Sequence, residues 1–137
     1  TRFSVQKNQK IRFFLYSFVE DKFHNMKESL IFIEHILESI KNIEQYSKNM
    51  NKEKFLKNIQ IQDAIIRRFE IIGEAVKNLP ENLIGKHKEI EWNKIAGMRD
   101  KLIHHYFGMD LDAVWDTIEI DLPVLKTQIL KIKKEFK

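Results

Sequence analysis

The sequence predicts an all-α domain, and three observations support this prediction. Gly and Pro are rare, with 4 and 2 among 137 residues, which argues against a turn-rich β sandwich or barrel. Apolar residues recur over long segments at the three- and four-residue spacing of amphipathic helices. The length suits one domain with one core, and charges of both signs are mixed, as in folded chains. We therefore expect four main helices plus one or two short ones.

The first 25 residues differ from the rest of the chain. They hold five of the ten Phe and five basic residues against two acidic ones, which leaves 19 basic and 18 acidic residues from Met26 onward. They lack the unbroken apolar stretch and small-residue cleavage site of a signal peptide, and their apolar stretch is too short to span a bilayer. We expect residues 1–25 to be a leader outside the domain, an upstream-translated or otherwise added extension or a disordered segment, with 26–137 as the helical domain. A genuine amphipathic docking helix is the alternative.

The first part of the domain contains two predicted long helices. Leu30, Ile33, Leu37 and Ile40 step by 3, 4 and 3 and predict a helix over 27–48 that ends at residues 49–51. A short helix is expected over 52–58. A second long helix is expected over 61–79, closed by Pro80; its apolar residues at helical spacing are Ile65, Phe69, Ile72, Val76 and Leu79.

The second long helix also carries a narrow polar strip. At 100° per residue, Asp63, Arg67, Glu70 and Glu74 fall within an arc of about 60°. The strip is either a solvated ladder of salt bridges or the lining of a site, and the helix alone favours the ladder.

The remaining chain predicts a loop over 81–88, a helix from Trp92 toward Gly108 and a last helix that begins after Asp110. Gly108 suits the position that follows a helix, and Asp110 suits an N-cap. The last helix repeats apolar residues from Leu111 to Phe136 and should kink or restart at Pro123.

The sequence lacks phosphate loops, zinc motifs, serine elbows and Cys. Its candidate catalytic residues instead lie close together in one segment: Arg99, Asp100, His104, His105 and Tyr106. Asp100 and His104 are four residues apart, so the carboxylate can orient the imidazole. Arg99 and His104 lie about 140° apart on an ideal helix, so two copies that meet across a two-fold axis would pool both groups in one cleft. His104 and His105, being adjacent, do not make a metal site. Spacing alone leaves a plain salt-bridged helix equally open.

The spacing Arg99-x4-His104-x-Tyr106 resembles the motif of HEPN-domain ribonucleases, and the chain is similar to the HepT toxins from Met26 to about Phe136. The resemblance also rests on four ordered segments: Gln62–Arg67, Glu70–Ala75, Trp92–Asp100, and Phe107–Pro123 with its Phe-Gly-x-Asp and Val-Trp elements.

This resemblance implies an up-and-down helical bundle that dimerises into a composite active site. It implies a cytoplasmic, metal-independent endoribonuclease toxin, without a cofactor, whose RNA substrate could be tRNA. The implied partner is an MntA-type nucleotidyltransferase antitoxin that transfers AMP from ATP to Tyr106. No membrane role is expected.

The resemblance also assigns roles to the residues. His104 would act as general base or acid, Arg99 would stabilise the phosphorane-like transition state, and Asp100 would orient His104. The polar strip becomes a second wall of the cleft, with Arg67 as the RNA contact; a purely structural strip stays open. Two alternatives are a non-catalytic module that binds a nucleotide or a nucleotidyltransferase, and a helical dimerisation domain whose motif has no chemical role.

Overall fold

A computed structural model of the chain describes the backbone of residues 2–104 and 110–136. Within these ranges it describes the side chains of residues 8–20, 24–98, 100–101 and 110–136. This described part is all-α and contains no β-strand. It comprises four main helical stretches and two short helices, so the predicted fold class is confirmed.

The first helix, α1 (Arg2–Ser47), begins well before the predicted segment. Its second half carries the predicted stripe, since Ile33, Ile36 and Ile40 are at most 1% exposed. Residues 2–47 contain no Gly or Pro, so the helix continues without interruption into its buried second half. The side chains of residues 8–20 are exposed. That residues 1–25 lie outside the domain stays a prediction.

Capping asparagines begin the next two helices, α2 (Lys52–Lys57) and α3 (Ile59–Lys77). The Oδ1 atom of Asn51 accepts a hydrogen bond from a backbone N–H of α2 at 2.8 Å, and Asn58 does the same for α3 at 3.1 Å. Each bond satisfies a donor that a helix start leaves without an intrahelical partner. Helix α3 ends before Pro80, as expected. Four apolar residues that predicted this helix are buried: Ile65, Phe69, Ile72 and Val76.

The predicted loop over 81–88 is wrong for residues 81–86, which form the helix α4 (Glu81–Lys86). Pro80 caps it in an extended conformation, with φ −70° and ψ 150°, and loses no intrahelical hydrogen bond at that position. Burial of Leu83 against the core stabilises this short helix. The next helix, α5 (Trp92–His104), begins with a buried tryptophan whose Nε1 donates to the His87 carbonyl at 2.9 Å.

The last helical stretch confirms two predictions. Asp110 caps α6 (Leu111–Asp116), because its carboxylate accepts a hydrogen bond from the amide of Ala113 at 3.2 Å. A π-helical turn (Thr117–Asp121) then precedes α7 (Leu122–Lys134). Pro123 has no amide hydrogen and its ring would clash with the carbonyl four residues earlier, so one wider turn accommodates it.

Helix α3 lies at the centre of the bundle, packed against α1 and α5, while α7 packs against α1. An ion pair of 3.0 Å between Glu44 and Lys126 joins α1 to α7. The rings of Phe55 and Trp115 pack against each other with centroids 5.3 Å apart and planes tilted by 33°. This contact joins α2 to α6. None of the described helices is long and apolar enough to cross a membrane.

Candidate functional site

The predicted motif lies at the end of α5. The backbones of Arg99 and His104 belong to this helix, but their side chains, together with His105, Tyr106 and Gly108, lie outside the described residues. The roles predicted for Arg99, His104 and Tyr106 therefore stay predictions. The described surroundings of the motif consist of Asp100 and the elements that pack against α5.

Asp100 forms an ion pair with Lys77, the last residue of α3. The Nζ atom of Lys77 lies 2.9 Å from Oδ1 of Asp100, and the two side chains are 34% and 53% exposed. This contact ties the motif helix to the central helix of the bundle. The predicted role of Asp100 in orienting His104 stays a prediction, because the His104 side chain is outside the described residues.

Lys77 was not predicted as a site residue, although its spacing from the polar strip indicates one. The polar strip of α3 (Asp63, Arg67, Glu70 and Glu74) steps by 4, 3 and 4, and Lys77 follows three residues after Glu74. On an ideal helix Lys77 therefore lies at the edge of the strip, about 40° from Asp63. Extending the same spacing by one step would have included it.

The structure places the polar strip on the side of α3 opposite its buried apolar residues. Asp63, Arg67 and Glu74 are exposed and Glu70 is partly buried. Nη1 of Arg67 lies 3.3 Å from Oε2 of Glu70, so one of the predicted salt bridges is present. This pair agrees with the ladder interpretation of the strip.

A cleft of about 230 Å³ adjoins the strip on the side that faces α1. Helix α1 contributes Phe32 and His35, and α3 contributes apolar and polar residues to the opposite wall: Arg67, Glu70, Ile71, Glu74, Ala75 and Asn78. Three of the four strip residues, Arg67, Glu70 and Glu74, thus line this cleft, and Lys77 at the edge of the strip pairs with Asp100 of α5. Sequence reasoning missed Phe32 and His35, because a cleft between two helices depends on how they pack.

The described residues offer acid, base and anion-binding groups. No three His, Asp or Glu side chains among them are grouped so that they could hold a metal ion. Arg67 is largely exposed, at 70%, and its guanidinium has donors beyond the one bonded to Glu70. A planar cation of this kind suits phosphate oxygens, so this side of α3 can bind an anion.

An all-α bundle whose central helix presents a polar strip beside an Arg-x4-His helix has the fold and motif of the HEPN class of domain. The chain matches the family model described as ribonuclease HepT-like over residues 36–132 and belongs to the HepT-like ribonuclease family. The matched residues include Arg99, His104 and Tyr106.

Relatives with ribonuclease names support the same family. A protein of Methanocaldococcus jannaschii named "Gamma-glutamylcyclotransferase and putative RNase" is 49% identical over 109 residues, which cover 80% of this chain but 49% of that protein. The chain thus spans about half of that relative's length. A "Putative RNase" of Caldanaerobacter subterraneus is 42% identical over 82% of this chain and all of its own length. A "Probable ribonuclease HepT" of Thermococcus cleftensis is 45% identical over 75% of this chain and 94% of its own length. No solved structure gave a significant match.

Proposed function

We propose that this protein is a metal-independent endoribonuclease that cleaves RNA by attack of its own 2′-OH, with Arg99 and His104 as catalytic residues. The observation that carries the proposal is the family match over residues 36–132, which includes the whole Arg99-x4-His104-x-Tyr106 string. RNA supplies the nucleophile that DNA lacks, so the protein needs only to move protons and stabilise charge.

The reaction balances without a cofactor. The 2′-oxygen loses its proton and bonds to phosphorus, and the bond from phosphorus to the 5′-oxygen breaks as that oxygen gains a proton. His104 makes one of these two proton transfers, as base or as acid, and water makes the other. An imidazole with an ordinary pKa near 6.5 suits either transfer at neutral pH. The guanidinium of Arg99 stabilises the charge of the phosphorane-like transition state. The products carry 2′,3′-cyclic phosphate and 5′-OH ends.

A homodimer completes the site in this proposal. Arg99 and His104 are about 140° apart on one ideal helix, so one copy aims them poorly at a single phosphate. Two copies related by a two-fold axis bring Arg99 of one copy toward His104 of the other. The polar strip forms the second wall of the shared cleft, and the exposed Arg67 contacts the RNA backbone.

We further propose that the protein is the toxin of a toxin–antitoxin pair whose antitoxin is an MntA-type nucleotidyltransferase. The tyrosine oxygen of Tyr106 attacks the α-phosphorus of ATP, an AMP–tyrosine bond forms, and pyrophosphate leaves. The bulky anionic group then repels and blocks the substrate phosphate. Tyr106→Phe would keep cleavage but escape this inhibition, which growth of cells that express each variant with the antitoxin would reveal.

The test is cleavage of purified tRNA in EDTA by protein whose intact mass shows no AMP. We expect cleavage that leaves cyclic phosphate ends and that falls by at least about a hundredfold in His104→Ala and Arg99→Ala. His24→Ala is the matched control, because His24 is exposed on α1 and pairs with neighbouring Glu28 at 3.2 Å. If AMP-free protein leaves RNA intact, or if His104→Ala cleaves as fast as the control, the proposal is wrong.

A further inference from the structure

The cleft between α1 and α3 has a lining that the cleavage chemistry does not use. Its α1 wall is a corner of two aromatic rings: the centroids of Phe32 and His35 are 6.2 Å apart and the ring planes meet at 84°. A flat heteroaromatic ring that stacks on one of these rings meets the edge of the other, an arrangement that aromatic groups favour. The volume of about 230 Å³ suits one planar base rather than a large ligand.

The opposite wall presents a carboxylate that is paired with a neighbouring arginine. The side chain of Glu70 is only 26% exposed, and its Oε2 atom lies 3.3 Å from Nη1 of Arg67. An ionised carboxylate has about four acceptor sites, so this contact leaves capacity for further donors. The cleft thus combines a stacking surface with the two acceptor oxygens of a carboxylate.

We propose that this cleft binds a guanine base of single-stranded RNA, stacked against Phe32 and His35 and hydrogen-bonded to Glu70. Proteins recognise unpaired RNA bases by stacking on aromatic side chains and by hydrogen bonds to the Watson–Crick edge. Guanine alone presents two adjacent donors on that edge, N1–H and the N2 amino group, and these match the two oxygens of a carboxylate. Adenine and cytosine each present one donor beside an acceptor, and uracil presents one donor between two acceptors.

The inference deepens the proposed function and rests on it, since RNA is the substrate of the same site. Arg67 lines the cleft and belongs to the polar strip of α3, the helix that packs against α5. Its remaining N–H donors suit the phosphate that follows the bound base. We therefore expect cleavage sites to have a guanine at one fixed neighbouring position.

Binding of fluorescein-labelled 2′-O-methyl pentanucleotides tests the inference without catalysis, because these probes have no 2′-OH to attack phosphorus. Four probes share uridine flanks and differ only in the central base. We expect the guanine probe to bind about tenfold more tightly than the other three, as one bidentate contact provides. Glu70→Gln replaces one acceptor by a donor, so it should remove this preference. Glu53→Gln is the matched control, because Glu53 forms an ion pair of the same length, 3.3 Å, with Lys57 on α2.

Equal binding of the four probes, or a guanine preference that Glu70→Gln leaves intact, would show the inference to be wrong. Guanosine 5′-monophosphate as a competitor separates two sources of the base: an affinity equal to that of the guanine probe would overturn the assignment to RNA. Cleavage of tRNA without base preference would leave the proposed function standing and remove this inference. A guanine preference in binding without any cleavage would leave this inference standing and contradict the proposed ribonuclease function.

Discussion

The side chains of Lys77 and Asp100 join the last residue of α3 to the helix that carries Arg99 and His104, with 2.9 Å between Nζ and Oδ1. Both groups are partly exposed, so the pair contributes little to the free energy of unfolding. We expect its larger effect to be positional, because it restrains a carboxylate one helical turn before His104. We therefore expect the ion pair to affect the orientation of the proposed catalytic helix more than the stability of the fold.

Lys77→Met tests this positional role, because it keeps most of the aliphatic chain and removes the charge. We expect the free energy of unfolding in urea to fall by less than about 1 kcal/mol. We expect the single-turnover rate of RNA cleavage to fall by at least about threefold, since small misplacements of a catalytic group are costly. Lys57→Met removes an ion pair of 3.3 Å with Glu53 within α2 and should cleave at the parent rate. Equal rates in the two variants would contradict a positioning role for Lys77.

Among the residues that the structure describes, Ser39 has a buried hydroxyl without a hydrogen-bond partner. The residue is 1% exposed and lies in the buried half of α1. Ser39→Ala removes a desolvated polar atom and increases helix propensity, so we expect the free energy of unfolding to rise by roughly 0.5–1.5 kcal/mol. Ser47→Ala is the control, because Ser47 Oγ donates to the Ile43 carbonyl at 2.8 Å. Urea denaturation should separate the two, and a loss of stability in Ser39→Ala would refute the prediction.

Most of the fold could be predicted because its determinants are local. Apolar spacing identified the buried sides of α1 and α3, and Asp110 and Pro123 marked a helix start and an interruption. Helix α4 was missed because only Leu83 among its residues is buried, so its sequence shows no periodic pattern. The start of α1 was missed because exposed residues carry no core signal.

The candidate site was only partly predictable for a different reason. Helix geometry alone places the strip of α3 on one side, and no knowledge of packing is needed for that step. The cleft and the pair of Lys77 with Asp100 join residues of different helices, so they depend on how α3 packs against α1 and α5. His35 in particular has no sequence neighbour that suggests a site.

The pKa of Lys52 should depend on Asp112. A hydrogen bond to that carboxylate, at 3.1 Å, and then its charge raise the pKa of the Lys52 ammonium above its ordinary value of 10.5. A raised pKa in the folded state means that the pair stabilises the fold below pH 10.5, and that this contribution is lost as pH rises through the folded-state pKa. Asp112→Asn should lower the Lys52 pKa, as followed by the side-chain nitrogen in NMR. Asp116→Asn, which removes only a more remote charge, should lower it less. An unchanged pKa in Asp112→Asn would contradict the assignment.

A heterodimer experiment separates a composite active site from one within a single copy. Arg99→Ala and His104→Ala homodimers each lack one catalytic group at every site, so both should be nearly inactive. A heterodimer of the two variants, isolated through different affinity tags, keeps Arg99 on one copy and His104 on the other. If these groups act across the two-fold axis, one of the two Arg–His pairs is intact and cleavage per dimer should recover to about half of the parent rate. If both groups act within one copy, neither pair is intact and the heterodimer stays as inactive as the homodimers. Size-exclusion chromatography of each species ensures that the comparison is between dimers, so a lack of recovery would count against the composite site itself.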